Sequence, residues 1–245
     1  MVFIMDWFSS WFNTPFYHVL YKNRDEKEAN NFLNHLSKEL DLPLASNVMD
    51  LACGKGRHSV ALNKLGYKVL GVDLSQESIL KASENQNANL SFKVADMRNL
   101  DMFNEFDAVL NLFTSIGYFN DLEDNQKVID SVYDSLKHNG VFVIDFFNSN
   151  FVINNLIPHE VKEIDGIKFV INKKVEKGVI IKDISFTHKG KLYTYQEKVQ
   201  ALTLDDFSRM LEKSMFKVEK VFGNYELSEF NKQNSKRLII KAIKQ

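Results

Sequence analysis

Short, nearly continuous apolar segments alternate with amphipathic segments between residues 25 and 148. The apolar segments have the length of strands, whereas the amphipathic ones place apolar residues three and four positions apart, as helices do. Such strands are buried on both faces, so the alternation indicates a parallel sheet with helices on each side and an α/β fold class. The expected strands are Asn47–Ala52, Tyr67–Asp73, Leu90–Ala95, Phe106–Leu112 and Val141–Phe147.

Capping residues and helix breakers predict where the helices begin and end. The first amphipathic helix is expected over Asp25–Leu40, where Pro43 stops it. Ser75 is expected to cap the helix after the second strand. The clearest helical pattern runs over Asp121–Asn139, and Gly140 is expected to close it.

The pattern changes after Asn148. Three segments with alternating polar and apolar residues, joined at glycines, predict an antiparallel meander: Lys168–Glu176, Val179–Thr187 and Lys191–Gln200. A capping-box pattern at Thr203 then starts a helix, and two more strands follow, Phe216–Phe222 and Arg237–Ile243. The expected domains are an N-terminal helical cap (1–40), a core (41–150 and 202–245) and an antiparallel β insertion (151–201), which would serve as a substrate lid.

Composition limits the kind of protein. The chain has 245 residues, 44% of them hydrophobic and 26% charged, which excludes a disordered or coiled-coil protein. Its net charge of −1 disfavours nucleic acid as a partner, and its one cysteine forbids an internal disulfide. No apolar stretch reaches the ~20 residues that cross a bilayer, and no export signal is recognised. We expect a cytoplasmic protein without a metal site.

A glycine-bearing turn, Asp50-Leu51-Ala52-Cys53-Gly54-Lys55-Gly56-Arg57, follows the first expected strand. Glycines let backbone amides approach a ligand, and the next helix adds partial positive charge at its N-terminus. Asp73 ends the second strand, where a carboxylate can accept hydrogen bonds from both hydroxyls of a ribose. Asp96 ends the third, placed to accept from an amine such as that of adenine. Each alone has a structural explanation, but the three in succession predict a nucleoside-containing ligand.

Two cofactor classes contain such a nucleoside. A dinucleotide fingerprint requires glycine or alanine where this chain has Ser59. Asp50, just before the turn, would also repel a pyrophosphate, whereas it suits a ligand that presents an ammonium group. S-adenosylmethionine has an ammonium, a sulfonium and a ribose, so the charge balance favours it over NAD(P).

These segments resemble the first three motifs of class I S-adenosylmethionine-dependent methyltransferases: Asp50–Gly56, Gly71–Ser75 and Ala95–Met97. Phe106–Val109 with Asn111–Phe113 looks like the fourth-strand motif, and Asn139–Phe142 like the entry to the fifth strand. The resemblance implies a Rossmann-like sheet of seven strands, mostly parallel with an antiparallel last strand and with helices on both faces. It is specific for the cofactor and the fold, not for the methyl acceptor.

The resemblance also implies how the cofactor would be held. Main chain at Ala52 and Gly54 would bind the methionyl part, Asp73 the ribose, and Asp96 with the Met97 amide the adenine. Tyr17, Tyr21 and Arg24 would close over the cofactor, with Arg24 on the methionyl carboxylate; helical packing of the tyrosines and a solvated Arg24 remain an equal alternative. Asn111 and Leu112 would lie beside the sulfonium. The full expected set is Tyr17, Tyr21, Arg24, Asp50, Ala52, Gly54, Gly56, Arg57, Asp73, Leu74, Ala95, Asp96, Met97, Asn111 and Leu112.

Methyl transfer from a sulfonium is an in-line displacement, so the protein mainly positions the reactants. No catalytic residue is assigned; His18, His58 and Tyr118 are candidates for a base. The expected function is methylation of a small-molecule acceptor. A non-catalytic S-adenosylmethionine-binding protein and, with less support, an NAD(P)-dependent oxidoreductase are the alternatives. The sequence leaves open a dimer formed through the β insertion.

Overall fold

The computed structural model describes residues 11–12, 14–22 and 26–245, apart from the side chains of residues 26–28. Its strands are β1 (Asn47–Leu51), β2 (Lys68–Asp73), β3 (Leu90–Val94), β4 (Phe106–Asn111), β5 (Leu136–Phe147), β6 (His159–Ile164), β7 (Ile167–Glu176), β8 (Val179–His188), β9 (Lys191–Gln200), β10 (Phe216–Phe222) and β11 (Arg237–Lys244). Its α-helices are α1 (Pro15–Leu20), α2 (Glu26–Leu40), α3 (Arg57–Lys64), α4 (Gln76–Ala82), α5 (Leu122–Ser135), α6 (Ser149–Asn154) and α7 (Leu204–Lys213).

Seven strands form one sheet in the order β10–β11–β5–β4–β1–β2–β3. The pairs among β1 to β5 are parallel, whereas β11 is antiparallel to both of its neighbours. The expected α/β class and the antiparallel last strand are therefore confirmed. Because β1 to β4 are parallel, their carboxyl ends meet at one edge of the sheet, as ligand binding at that edge requires.

Helices cover both faces, and the side-chain alternation of each strand divides the core in two. On one face α2 and α3 pack on Val48, Ala108 and Val143. On the other face α5 and α7 pack on Met49 and Phe142. Neighbouring residues such as Val48 and Met49 therefore stabilise different layers, which is why these strands are apolar at nearly every position.

The end of α5 differs from the sequence prediction. The helix stops at Ser135 rather than near Asn139, and β5 already begins at Leu136. Lys244 lies against this end: its Nζ donates to the carbonyls of Tyr133 and Leu136, each at 2.7 Å. An ammonium group from another strand thus satisfies carbonyls that the helix leaves free, and Gly140 does not end the helix.

The second sheet contains β6, β7, β8 and β9 in sequence order, all antiparallel. The three predicted strands are confirmed, and β6 is an additional strand that the sequence analysis missed. The successive hairpins turn through two residues each, the second always glycine: 165–166, 177–178 and 189–190. All six have positive φ, as type I′ turns require.

One face of the second sheet packs on α1. Trp11 and Leu20 are buried there against Phe169, Ile184 and Phe186. The N-terminal segment and the small sheet thus share an apolar core separate from those of the main sheet. None of the helices in the described ranges has the length and apolar character that spanning a bilayer requires.

Candidate active site

A cavity of about 520 Å³ opens at the carboxyl ends of β1 to β4 and is bounded on its other side by α1. Its volume falls within the range of small-molecule and cofactor sites. The predicted residues that line it are Tyr17, Tyr21, Ala52, Gly54, Arg57, Asp73, Leu74, Ala95, Asp96, Met97 and Leu112. The sequence therefore located most of one wall and part of the opposite one. Arg24 lies outside the described residues.

The turn after β1 takes a left-handed backbone at three of its five residues, with φ of 61° at Ala52, 55° at Gly54 and 80° at Gly56. A Cβ at Gly54 would meet nothing within 4 Å, so open space lies directly over this residue. Gly54 also lines the cavity. Its lack of a side chain therefore leaves room for a ligand against the backbone.

Asp73 connects this turn to the loop after β2. Its Oδ2 accepts from the Gly54 N–H and its Oδ1 from the Ser75 N–H, both at 2.8 Å. Burial raises the pKa of the Asp73 carboxyl, and the backbone donors at Ser75 and Gly54 oppose that rise. The carboxylate is thus held in one orientation at the cavity wall, with lone pairs left for further donors.

Asp96 is paired with Arg98, which the sequence analysis did not single out. The guanidinium Nη2 lies 2.7 Å from Asp96 Oδ2, and Nη1 lies 2.8 Å from Asp124. Burial disfavours the charged form of Asp96, but Arg98 outweighs that effect and lowers the pKa of the carboxyl. Asp96 is therefore ionised, and it shares its charge with a cation that also lines the cavity.

The loop after β4 has a strained backbone at the cavity wall. Phe113 and Thr114 both have positive φ, 72° and 61°, which is costly for residues with side chains. Asp145 on β5 holds them: its Oδ2 accepts from the Phe113 N–H at 3.1 Å and its carbonyl accepts from the Thr114 N–H at 3.0 Å. Arg237 on β11 in turn pairs with Asp145 at 2.6 Å.

Comparison with known proteins identifies the family to which this chain belongs. The family model described as a methyltransferase domain matches residues 45–200, more than half of the chain. The chain belongs to this methyltransferase family. Because its main sheet is Rossmann-like, it is a class I S-adenosylmethionine-dependent methyltransferase, with S-adenosylmethionine as cofactor.

Individual proteins that are similar to this chain are also named methyltransferases. "Putative methyltransferase YqeM" of Bacillus subtilis (strain 168) is 28% identical over 219 residues, 84% of this chain and 87% of that protein. A glycine/sarcosine N-methyltransferase of Parasynechococcus marenigrum (strain WH8102) is 33% identical over 130 residues, 51% of this chain and only 45% of that protein. The crystal structure of an S-adenosylmethionine-dependent methyltransferase from Clostridium acetobutylicum ATCC 824 has the same fold, with a TM-score of 0.78, 22% identity, and 92% and 94% coverage of the two chains.

The methyltransferase does not expose all of the predicted residues to its cavity. Asp50 was expected to face the ammonium group, yet it is 1% exposed and accepts from the Ser59 hydroxyl at 2.5 Å, behind the turn. On β1 it points to the same face as Val48, toward α3, and this alternation could have revealed its direction. Burial raises its pKa to about 6 despite the hydrogen bonds from Ser59.

Gly56 and Asn111 also lie behind the cavity wall. A Cβ at Gly56 would come within 2.7 Å of the Phe92 ring, so this glycine permits α3 to approach β3. Asn111 is 1% exposed, and its Nδ2 donates to the Leu51 carbonyl at 3.0 Å. Both residues shape the turn from behind rather than line the cavity.

Two titratable residues at the turn, Cys53 and His58, are neutral. Burial, followed by the charge of Arg57, lowers the pKa of His58 to about 3. Arg57 can only donate, so the His58 Nε2, 3.1 Å from Arg57 Nη2, is an acceptor. Burial also raises the pKa of the Cys53 thiol, which therefore stays protonated and unreactive. Among the residues that the structure describes, no His, Cys, Asp and Glu side chains group as metal ligands would.

Aromatic residues form the wall opposite the strand ends. Phe12, Tyr17 and Tyr21 come from the N-terminal segment, and Tyr118 and Phe119 from the loop after β4. Tyr21 donates to Glu197 of β9 at 2.8 Å, which fixes its ring at the cavity. Glu197 was not predicted from the sequence, although it lies on the same face of β9 as Tyr193 and Tyr195 and is the polar position in that aromatic row.

Proposed function

We propose that this methyltransferase transfers the methyl group to a small-molecule acceptor, and that the acceptor is an amine. The observation that carries the proposal is the shape of the site: one cavity extends from the acids at the strand ends to the aromatic wall. Such a cavity has space for a cofactor and for a small acceptor beside it.

The residues present fit S-adenosylmethionine. Asp73 offers oriented lone pairs for the ribose hydroxyls, and the open space over Gly54 suits a ligand that lies on the backbone. Asp96 and the Met97 backbone are proposed to hold the adenine, and Arg57 and the Ala52 backbone the methionyl part. Tyr17 and Tyr21 are proposed to cover the cofactor. Asp50, Gly56 and Asn111 are proposed to support the turn without touching the ligand.

The chain contributes positioning rather than reactive groups. S-adenosylmethionine, when bound, supplies a methyl group on a sulfonium that leaves by in-line displacement. Thr114, Ser115 and Tyr118 line the cavity on the acceptor side and offer hydroxyls that orient a polar acceptor. His58 is neutral and Cys53 is a buried thiol, so neither serves as a charged catalyst or as a nucleophile. Orientation of this kind supplies roughly 7–11 kcal/mol of a reaction barrier.

An amine is favoured because one relative that aligns with half of this chain is named a glycine/sarcosine N-methyltransferase. The cavity lining is compatible with an uncharged amine: its described residues from the N-terminal segment and from the loop after β4 include no carboxylate that would retain the protonated form. Beside a sulfonium, like charge disfavours the ammonium form. The free base, which is the nucleophile, is therefore the form that the site admits.

The test has two parts: binding of S-adenosylhomocysteine is measured first, and methyl transfer to candidate acceptors second. S-adenosylhomocysteine at a hundredfold excess over its dissociation constant should stabilise the fold by about 2.7 kcal/mol. Release of S-adenosylhomocysteine is then followed with glycine, sarcosine and amino sugars, and with a matched panel of phenols and carboxylic acids. Turnover on an amine supports the proposal, whereas turnover confined to oxygen acceptors contradicts it. A folded protein that gains no stability from the ligand would contradict the assigned cofactor site.

A further inference from the structure

Two walls meet over the acceptor side of the cavity. One is the N-terminal wall, formed by Phe12, Tyr17 and Tyr21; the other is the loop wall, formed by Thr114, Ser115, Tyr118 and Phe119. The two touch where the rings of Phe12 and Tyr118 approach to 5.5 Å between centroids. Phe12 also packs on Tyr17 at 4.8 Å. The distance between the walls therefore sets the space left for an acceptor.

Glu197 on β9 holds the N-terminal wall. Its carboxylate accepts from the Trp11 indole Nε1–H at 2.7 Å and from the Tyr21 hydroxyl at 2.8 Å. Lys182, its direct partner across the strand pair, lies 3.3 Å from the same carboxylate. The Glu197 side chain is only 14% exposed. Its hydrogen bonds therefore lie in a largely dry environment, where they are stronger than in water.

Gln200, three residues further along β9, holds the loop wall. Its backbone N–H donates to the Gly117 carbonyl at 2.8 Å, and its Nε2 donates to the Phe119 carbonyl at 2.9 Å. Its Oε1 accepts from Asn125 Nδ2 at 2.6 Å, and Asn125 Oδ1 accepts from the Gly117 N–H at 2.9 Å. The loop is thereby fixed on both sides by two buried amide side chains.

We propose that Glu197 and Gln200 are positioning residues that fix the separation of the two walls and so the geometry in which the acceptor is presented. Neither residue is among the described residues that line the cavity. One rigid strand segment, rather than a closing lid, would then hold both sides of the acceptor space. The inference rests on the proposed function only in taking this part of the cavity as the acceptor space.

Trp11 offers a readout that needs no acceptor. The chain has two tryptophans, at positions 7 and 11, so Trp7→Phe leaves Trp11 as the single tryptophan, and selective excitation of tryptophan then reports on Trp11 alone. Trp11 is fully buried. In this background, with S-adenosylhomocysteine bound, acrylamide should quench Trp11 poorly. Glu197→Ala should raise the quenching constant severalfold, and Glu197→Gln, which keeps an acceptor oxygen for the indole, should restore most of the protection.

Gln200 supplies the sharper test because its hydrogen bonds go to Gly117, Phe119 and Asn125, not to Trp11. If the walls support each other, Gln200→Ala should raise Trp11 quenching at least twofold, while the affinity for S-adenosylhomocysteine changes less than about threefold. Gln200→Met preserves side-chain length and serves if the alanine variant folds poorly. Lys198→Ala, at an exposed position between the two, is the matched control and should leave both quantities unchanged.

Quenching of both Gln200 variants equal to that of the parent would overturn the inference. So would a parallel loss of melting temperature and ligand affinity in every variant, because that result indicates a purely structural role. Failure of the proposed function has a different signature: the parent would bind S-adenosylhomocysteine and show the quenching pattern, yet methylate no amine. Once an amine that the enzyme methylates has been identified, the Gln200 variants should show a kcat for that amine at least tenfold lower than that of the parent, with a smaller change in KM for S-adenosylmethionine.

Discussion

Asp145 and Arg237 form an ion pair directly behind the loop after β4, with Arg237 Nη2 2.6 Å from the buried carboxylate oxygen Asp145 Oδ1. The other carboxylate oxygen accepts from the Phe113 N–H and from the Tyr225 hydroxyl. The pair joins β5 to β11 and at the same time holds the positive-φ backbone of Phe113. The antiparallel last strand thus supports the cavity wall through one arginine.

Arg237→Met should destabilise the protein by about 3–5 kcal/mol, because it leaves the Asp145 charge buried without its partner. Burial raises the pKa of Asp145 and Arg237 opposes that rise, so losing Arg237 raises the pKa further. The loss should therefore be larger at pH 8 than at pH 5. Urea unfolding at the two pH values measures it. Arg209→Met, which removes an exposed guanidinium, should stay within about 0.5 kcal/mol of the parent. A similar small change for Arg237→Met would contradict the prediction.

Asp50→Asn should flatten the dependence of stability on pH. The pKa of Asp50 is raised from 3.8 to about 6 in the folded state. The folded protein therefore holds more protons than the unfolded chain between those values, and stability falls as pH rises through this window. Over pH 4 to 7 the parent should lose about 2.4 kcal/mol more than Asp50→Asn. Exposed Asp101→Asn should keep the parental slope, and parallel curves for Asp50→Asn and the parent would disprove the assignment.

Asp73→Ala should weaken S-adenosylhomocysteine binding by roughly 1–3 kcal/mol, the cost of losing a charged acceptor. Titration calorimetry measures the affinity, and circular dichroism verifies the fold, since Asp73 also orders the Gly54 turn. Asp121→Ala removes an exposed carboxylate that does not line the cavity, so it should bind as the parent does. Equal affinities for Asp73→Ala and the parent would remove Asp73 from the site.

Lys244→Met should lower the free energy of unfolding by about 2–3 kcal/mol. The substitution leaves the carbonyls of Tyr133 and Leu136 without the ammonium donor, and buried acceptors without a partner are costly. Thermal and urea unfolding provide the measurement. Exposed Lys198→Met is the control; if both variants unfold alike, Lys244 does not stabilise the end of α5.

Some of the site was accessible from the sequence because the relevant signals are local. The turn after β1 must adopt positive φ, so it needs glycine. Asp73 and Asp96 lie at or just after the ends of β2 and β3, so their positions could be predicted once the strands were recognised. Parallel strands bring these ends to one edge. The chain order of apolar strands and helices was therefore enough to predict the core fold and the edge of the sheet where the cavity opens.

Which side chains reach the cavity was predicted only in part, because motif position was weighed more heavily than the alternation of side chains along each strand. Asp50 stands in the cofactor motif, yet its strand turns it toward Ser59. The predicted end of α5 was wrong because the helix stops earlier, where Lys244, far along the chain, donates to the carbonyls at its end.

The α/β order, the glycine turn and the two strand-end acids could be predicted from the sequence, because each depends on neighbouring residues and on backbone conformation. The arrangement of the aromatic wall and of the loop after β4 could not, because it depends on contacts between distant parts of the chain. Glu197, Gln200, Asp145 and Arg237 act on residues from 32 to 186 positions away. Long-range hydrogen bonds of this kind have no periodicity, and they exist only once the sheets and the N-terminal segment have packed together.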